Sequence, residues 1–456
     1  MSKKTRTWLA IIGSLLILTI VGLFIYNYFN STQADSTSNE ATQMASQSSV
    51  VNESAQEEMA EEPVEPIEQE FLFEDLPMKE GKETLPSQEG ELTLRSVGDV
   101  LIHDRVSYLA DTYSPIYQDT VANMLEEGFE PDLFDEDAAY DFMPMLAHIQ
   151  PYLEYADISM ANLEVIAASP QLPMSGYPQF NAPSEIIAAL KGIGIDIVSN
   201  ATNHTLDWFS EGAHYSLQNL QDEDMMYVGS YESWEDYNTN RIIEVNGISI
   251  GFLNYSYGTN GIPVPAGEEY LISLIDVPLM VAEVEALSQQ VDAVVVSLQL
   301  GNEYDTLPNE DQFYIFQALS DAGAKLILGG HPHVLQPVDW YNDGETFAIY
   351  SQASFLTGQR DLDNKQGGIT EVTFQRDESG EVNVVNPKFM PIFNLGVEAE
   401  KMYQVVPFAD INLHQIPDGQ LWWDTIDERM HTYVDDFEFV THLETEATEE
   451  TIDTFR

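Results

Sequence analysis

Five short stretches of this chain carry side chains suited to hard or borderline metal ions. Gly98-Asp99 is followed by His103 and Asp104, and "ANLE" supplies Asn162 and Glu164. "NATNHTLD" supplies Asn203, His204 and Asp207, "QLGNEY" supplies Asn302 and Glu303, and "GGHPH" supplies His331 and His333. Carboxylate, amide oxygen and imidazole together suit Mn, Fe or Zn, and a site holding one or two such ions polarises phosphoryl oxygens and activates water. Each stretch also has an ordinary reading. An Asp after a strand caps a helix, Asn-His satisfies a turn, and His-x-His serves as a pair of hydrogen-bonding groups. Their convergence on one edge of one sheet is what would make a site of them.

The elements that must position these groups alternate. "ELTLRSVGDVLIHD" reads as a buried strand running into Gly98-Asp99. A helical stretch follows at "FMPMLAHIQPYLEYA", then a strand at "DISMANLE". "APSEIIAALKGIG" has a helix entry at Pro183-Ser184 and an exit at Gly192 and Gly194. "IDIVSNATNH" is a strand entering a polar loop, "FSEGAHYSLQNLQ" a helix, and "MYVG" a strand. "RIIEVNGISIGFLNY" is a hairpin turning at Asn246-Gly247. Helix at 277–290, strand at "DAVVVSLQL", helix at "NEDQFYIFQALSDAG" and strand at "KLILGG" come next. "TFAIYSQASF" reads as one further strand and "GITEVTFQRDESGEVNVV" as a closing hairpin. "WWDTIDERMHTYVDDF" reads as a helix packed by Trp422 and Trp423. The alternation predicts an α/β layered domain with added antiparallel hairpins. In such sheets the working loops lie at the C-terminal strand ends, where the polar stretches fall.

Composition narrows the function classes. The 456 residues include 17 Lys+Arg against 77 Asp+Glu, a formal net charge of −60. That surface repels phosphate backbones and excludes a nucleic-acid partner. Bound divalent cations would relieve its self-repulsion. The chain has no Cys, so disulfides, thiolate chemistry and a Cys-linked lipid anchor are excluded. Lys3, Lys4 and Arg6 precede the uncharged run Trp8–Tyr26. A run of that length spans a bilayer as a helix, and the basic flank places the N-terminus in the cytoplasm. A cleaved signal peptide is the alternative, with a poor cleavage site at "STQAD". The expected organisation is a cytoplasmic stub and transmembrane anchor at 1–30, a disordered acidic linker at 31–90, the main domain at 91–394, a C-terminal extension at 395–442 and a disordered tail at 443–456.

The series "VGDVLIHD", "ANLE", "FNAPSEIIAALKGIGIDIVSNATNHTLDW", "LGNEY", "GGHPHVLQP" and "IYSQASF" resembles, in that order, the CapA/PgsA-type capsule and poly-γ-glutamate biosynthesis family. The domain of that family is similar to a calcineurin-type metallophosphatase. The resemblance covers about 91–394. It implies a four-layer α/β/β/α sandwich outside the membrane on a single-pass anchor, at a surface of Gram-positive type. It further implies a role in making, exporting or anchoring an anionic polymer, beside a membrane synthase. Asp99, Glu164, Asn203, His204, His331 and His333 match its metal-ligand positions, and His204 also matches a residue that protonates a leaving group. Two expected imidazoles are replaced. Gln299, Leu300 and Gly301 stand where the family has His-Trp-Gly, and Gly330 stands before His331 where it has His. Gln299 would offer an amide oxygen, a poorer ligand for such metals than imidazole. The rival expectations are a degenerate fold kept as a scaffold or polymer-binding partner, and a general metal-dependent phosphoesterase. His103 reads as a residue of the cleft rim, and His148 and His214 as surface or interhelical residues.

Overall fold

Two β-sheets contain all the described strands in a computed structural model that describes residues 90–396, 402–414 and 418–445. The expected membrane segment at 8–26, nearly all of the acidic linker and most of the tail lie outside the described residues. Among the described residues no helix is long and apolar enough to cross a membrane.

In chain order the strands are β1 (Glu91–Leu101), β2 (Ile158–Leu163), β3 (Ile197–Ser199), β4 (Met226–Val228), β5 (Arg241–Val245), β6 (Ile248–Ser256), β7 (Ala293–Gln299) and β8 (Ala324–Gly330). They continue with β9 (Gln336–Tyr341), β10 (Thr346–Ser351), β11 (Ser354–Thr357), β12 (Gln366–Arg376), β13 (Val382–Leu395), β14 (Gln404–Pro407) and β15 (Glu438–Phe439). The first sheet runs β14-β13-β12-β1-β2-β3-β4, with β11 added beside β1 and β15 beside β13. The second runs β5-β6-β7-β8-β10-β9. In the first sheet β1-β2-β3-β4 are parallel out to the β4 edge while β1-β12-β13-β14 are antiparallel, and in the second a parallel β6-β7-β8-β10 is flanked by the antiparallel pairs β5-β6 and β10-β9.

Side-chain alternation shows how the second sheet is packed. Along β7, Val295 joins the large cluster shared with the first sheet, while Val294, Val296 and Leu298 join a separate cluster. Along β10, Phe347 and Ile349 go one way, Ala348 and Tyr350 the other. The separate cluster is closed by Met280, Val284 and Leu287 of helix Val277–Ser288 and by Ile315, Phe316 and Leu319 of helix Glu310–Asp321. Period two on the strands meets period 3.6 on the helices, so a strand buried on both faces reads as an unbroken apolar run. The fold is therefore mixed α/β with two sheets.

Two elements differ from the sequence expectation. "FMPMLAHIQPYLEYA" forms two short helices, Met143–Leu146 and Gln150–Glu154, rather than one. Each carries a Pro in its first turn, where the missing N–H costs nothing. Pro151 in the interior of a continuous helix would clash with the carbonyl four residues back. "TFAIYSQASF" is two strands in different sheets. β10 pairs with β8 and β9, β11 pairs with β1, and the chain crosses between sheets at Gln352-Ala353. Two hydrogen bonds fix the crossing, Gln352 N–H to Gly329 O at 2.9 Å and Asp99 N–H to Ala353 O at 2.7 Å. Residues after 394 continue the first sheet through β14 and β15, and Trp423 packs edge-on against Phe439.

Candidate metal centre

Polar side chains from both sheets meet where their parallel strands end. In the first sheet Asp99 on β1 lies opposite Asn162 on β2, which lies opposite Ser199 on β3. In the second, Gln299 ends β7 opposite Gly330, which ends β8. Glu164, Thr202–His204 and His331–His333 follow directly on these ends. The site thus draws on two sheets, where the sequence reading expected one.

Glu164, His331 and His333 are buried, and each offers a ligand atom within 4.8 Å of the others. Asp99 adjoins them, its Oδ2 lying 3.0 Å from His333 Nδ1. The other Asp99 oxygen accepts from Asn162 Nδ2 at 2.8 Å. His331 and His333 have φ angles of 95° and 58°. Left-handed backbone at two non-glycine residues is costly, and it persists where surrounding contacts hold it, commonly at functional sites.

His204 is held differently. Its Nδ1 lies 2.7 Å from Asp207 Oδ2, which also accepts the Phe180 N–H at 2.6 Å. An acidic partner on Nδ1 keeps the proton there and leaves Nε2 with a free lone pair. Phe180 packs its edge against both His204 and His103. Asn203 Oδ1 accepts from Gln299 Nε2 at 2.9 Å, and its Nδ2 donates to Asn260 Oδ1 at 3.3 Å.

Gln299 does not present its amide oxygen to the centre. Its Nε2 donates to Glu164 Oε1 at 2.7 Å and its Oε1 accepts from Asn162 at 3.0 Å. Gly330 has no room for the imidazole that the resemblance implies. A Cβ there would stand 2.7 Å from Asp99 Oδ1 and 2.9 Å from Asn162 Nδ2. Asn302 bonds instead to Asp305, at the exposed surface, and Glu303 is exposed. His214 is partly exposed and lies 4.0 Å from Glu268, and His148 packs edge-on against Phe129.

Two buried atoms at the centre have no hydrogen-bond partner, Glu164 Oε2 and His331 Nδ1. Leaving such atoms unmet costs roughly 1–3 kcal/mol each. Burial first, then the Asp99 carboxylate, pushes the Glu164 carboxyl well above its usual range. Burial and the neighbouring His333 hold His331 down to about 3, so its ring is neutral at physiological pH and keeps a lone pair for a ligand. A buried carboxyl short of positive charge beside the neutral His331 ring and a second imidazole, His333, is a donor set that a divalent cation fits.

His103 allows a test of burial at the rim. Its Nδ1 accepts the Gly358 N–H at 3.2 Å, and burial lowers its pKa to about 4. Unfolded imidazole titrates near 6.5. Between those values the unfolded state binds more protons, so stability is present above 6.5 and is lost as pH falls toward 4. In thermal melts across this range, His103→Gln is expected to gain on the wild type steadily as pH falls. A stability gap that does not change with pH would contradict it.

Sequence reading named Asn162 but not its part in joining the sheets, and it passed over Tyr257, Tyr304 and Asn260. The Tyr257 ring sits 4.5 Å from that of His331, and the Tyr304 ring 6.2 Å from that of His333. Tyr304 lies in the "QLGNEY" stretch, of which sequence reading singles out only Asn302 and Glu303, and no local signal sets either tyrosine apart from ordinary loop aromatics.

Every residue of the centre lies within a segment, 93–359, that matches the family model described as bacterial capsule synthesis protein PGA_cap. The chain belongs to that family. Membership gives the PGA_cap chain a capsule-related function. Capsule biosynthesis protein CapA of Bacillus anthracis is 23% identical over 303 residues, 65% of this chain and 67% of that protein. PGA biosynthesis protein CapA of Bacillus subtilis (strain 168) is 27% identical over 254 residues, 52% of this chain and 63% of that protein. Among solved structures, a novel phosphatase of Mycoplasma pneumoniae aligns with a TM-score of 0.37 and 13% identity, covering 67% of this chain and 95% of that one. The NAD nucleotidase of Haemophilus influenzae aligns at 0.39 and 11%, covering 81% and 60%. Scores this low assign no chemistry to the PGA_cap chain, which rests on its own residues.

Proposed function

We propose that this chain acts outside the cell membrane in the synthesis or export of an anionic capsule polymer of the poly-γ-glutamate kind, through a metal-holding cleft. The observation that carries the metal reading is the buried group Glu164, His331 and His333, with one carboxylate oxygen and one ring nitrogen unmet. These three would hold a divalent ion of the Mn, Fe or Zn class, with Asp99 beside them. Such an ion, when bound, supplies Lewis-acid polarisation of a phosphoryl or acyl oxygen. His204, its Nδ1 fixed by Asp207, has Nε2 open to take up a proton, and the ring protonated there would pass that proton to a leaving group. Tyr257 and Tyr304, partly exposed beside the two histidines, form a mouth that orients substrate and excludes water from one side. The uncharged run at 8–26 supports a single-pass anchor beside a membrane synthase.

A scaffold without catalysis is the second reading, favoured by one observation. Asn203 Oδ1 and Glu164 Oε1 are both already bonded to the Gln299 amide.

Metal analysis of the purified chain after dialysis against Mn²⁺ or Zn²⁺ tests the proposal, together with turnover of phosphoesters and γ-glutamyl peptides. Bound metal is expected, and His331→Ala should weaken its retention at least 10-fold while leaving the protein folded. A folded wild type that takes up no metal would overturn the catalytic reading in favour of the scaffold.

A further inference from the structure

The Gln299 amide cannot be turned around without breaking its neighbourhood. Asp99 Oδ1 only accepts when ionised, so Asn162 presents its NH₂ there, at 2.8 Å, and its own oxygen accepts from the Ser199 hydroxyl at 2.9 Å. The same Asn162 NH₂ lies 3.0 Å from Gln299, which must therefore present its oxygen. That leaves the Gln299 NH₂ facing two acceptors, Glu164 Oε1 at 2.7 Å and Asn203 Oδ1 at 2.9 Å. An NH₂ group has two protons, and both are spent here. Asn203 is oriented from its other side, where its NH₂ donates to Asn260.

The two oxygens of Glu164 therefore meet different fates. Oε1 is bonded to the amide, and Oε2 is unmet, 3.5 Å from His333 Nδ1. We infer that the Gln299 NH₂ takes the place of a cation between Glu164 and Asn203, so that the cleft holds a single divalent ion, on the Oε2 side with His331 and His333. This rests on the metal reading of the proposed function. A second ion between Glu164 and Asn203 would have to expel the amide. Rotating the amide in place would set its NH₂ against that of Asn162, donor to donor. The Asn162 NH₂ would be left with Asp99 alone and the Gln299 NH₂ with no acceptor in the network, and buried donors left unmet are costly.

The test counts ions on the purified full chain, with Mn²⁺ alone as probe, by elemental analysis and by the electron paramagnetic resonance spectrum of bound Mn²⁺. Wild type is expected to saturate at one ion per chain with the spectrum of an isolated ion. Gln299→His and Gln299→Glu, which replace the donor with an acceptor, are expected to take a second ion and to show spin coupling. Two ions or a coupled spectrum in wild type would overturn the inference and leave the metal reading standing. No ion in wild type would overturn the metal reading and the inference with it. One ion in wild type and in both folded variants would show that Gln299 is not what excludes the second. Should the variants fail to fold, the count and spectrum of the wild type still decide the single-ion claim.

Discussion

Glu371→Ala is expected to destabilise the fold by about 3–5 kcal/mol, the cost of leaving a buried charge without its partner. The charge is Arg95, fully buried on β1 directly opposite Glu371 on β12. Glu371 Oε2 lies 2.7 Å from Arg95 Nε and 2.6 Å from Nη2, and Oε1 lies 2.9 Å from Lys388 on β13. Three central strands of the first sheet are thus tied by one row of alternating charge, and Arg95 also donates to the Tyr152 carbonyl. Burial alone would raise the Glu371 pKa, but Arg95 and then Lys388 outweigh it and hold it below the usual range. Its stabilising contribution is therefore present above the usual glutamate pKa near 4.5 and is lost as pH falls through the folded value. Denaturant midpoints for wild type, Glu371→Ala and the apolar pair Arg95→Met with Glu371→Leu would check this. The double variant should recover much of the loss, since replacing a buried ion pair by apolar groups is often close to neutral. A single variant within about 1 kcal/mol of wild type would refute the assignment.

Gly98→Ala should cost about 3 kcal/mol or more, at the upper end of what overpacking does, and release bound metal. A Cβ at Gly98 would stand 1.9 Å from the Ala353 carbonyl oxygen and 2.9 Å from that of Gln352. Both are backbone atoms at the crossing between sheets, so no side-chain rotation makes room. β1 and β11 would have to separate, and Asp99, bonded through its N–H to Ala353 O, would move with them. Gly258→Ala is the matched control, with nothing within 4 Å of its Cβ, and should stay within about 0.5 kcal/mol of wild type. Equal melting temperatures and equal metal retention for the two variants would show that the close approach at Gly98 does not matter.

The same geometry explains why glycine recurs at the ends of the site strands. At Gly329 a Cβ would meet the Tyr350 carbonyl oxygen at 2.0 Å, and at Gly330 it would enter the contact between Asp99 and Asn162. Gly-Asp and Gly-Gly-His are therefore backbone-packing motifs as much as ligand motifs. A histidine in place of Gly330 would require Asp99, Asn162 and Gln299 to shift together, which accounts for its absence here.

Local pattern alone determined a good deal about this protein. Unbroken apolar runs marked buried parallel strands, amphipathic stretches marked the helices, and polar clusters after strands marked Asp99, Asn162, Glu164, Asn203, His204, His331 and His333. These follow from neighbouring residues, because periodicity and turn chemistry act over a few positions. Three things depended on tertiary structure. The break within "TFAIYSQASF" exists because β11 pairs with β1, some 250 residues earlier, and pairing between distant segments leaves no local trace. The division of the strands into two sheets, which the resemblance implied but local pattern did not show, has the same origin. The role of Gln299 was the least legible. As a residue type it offers both an oxygen and an NH₂. Which one faces Glu164 is settled only by Asn162, 137 positions away and itself oriented by Asp99 and Ser199. An amide's direction belongs to its hydrogen-bond network, and that network forms only when the two sheets meet.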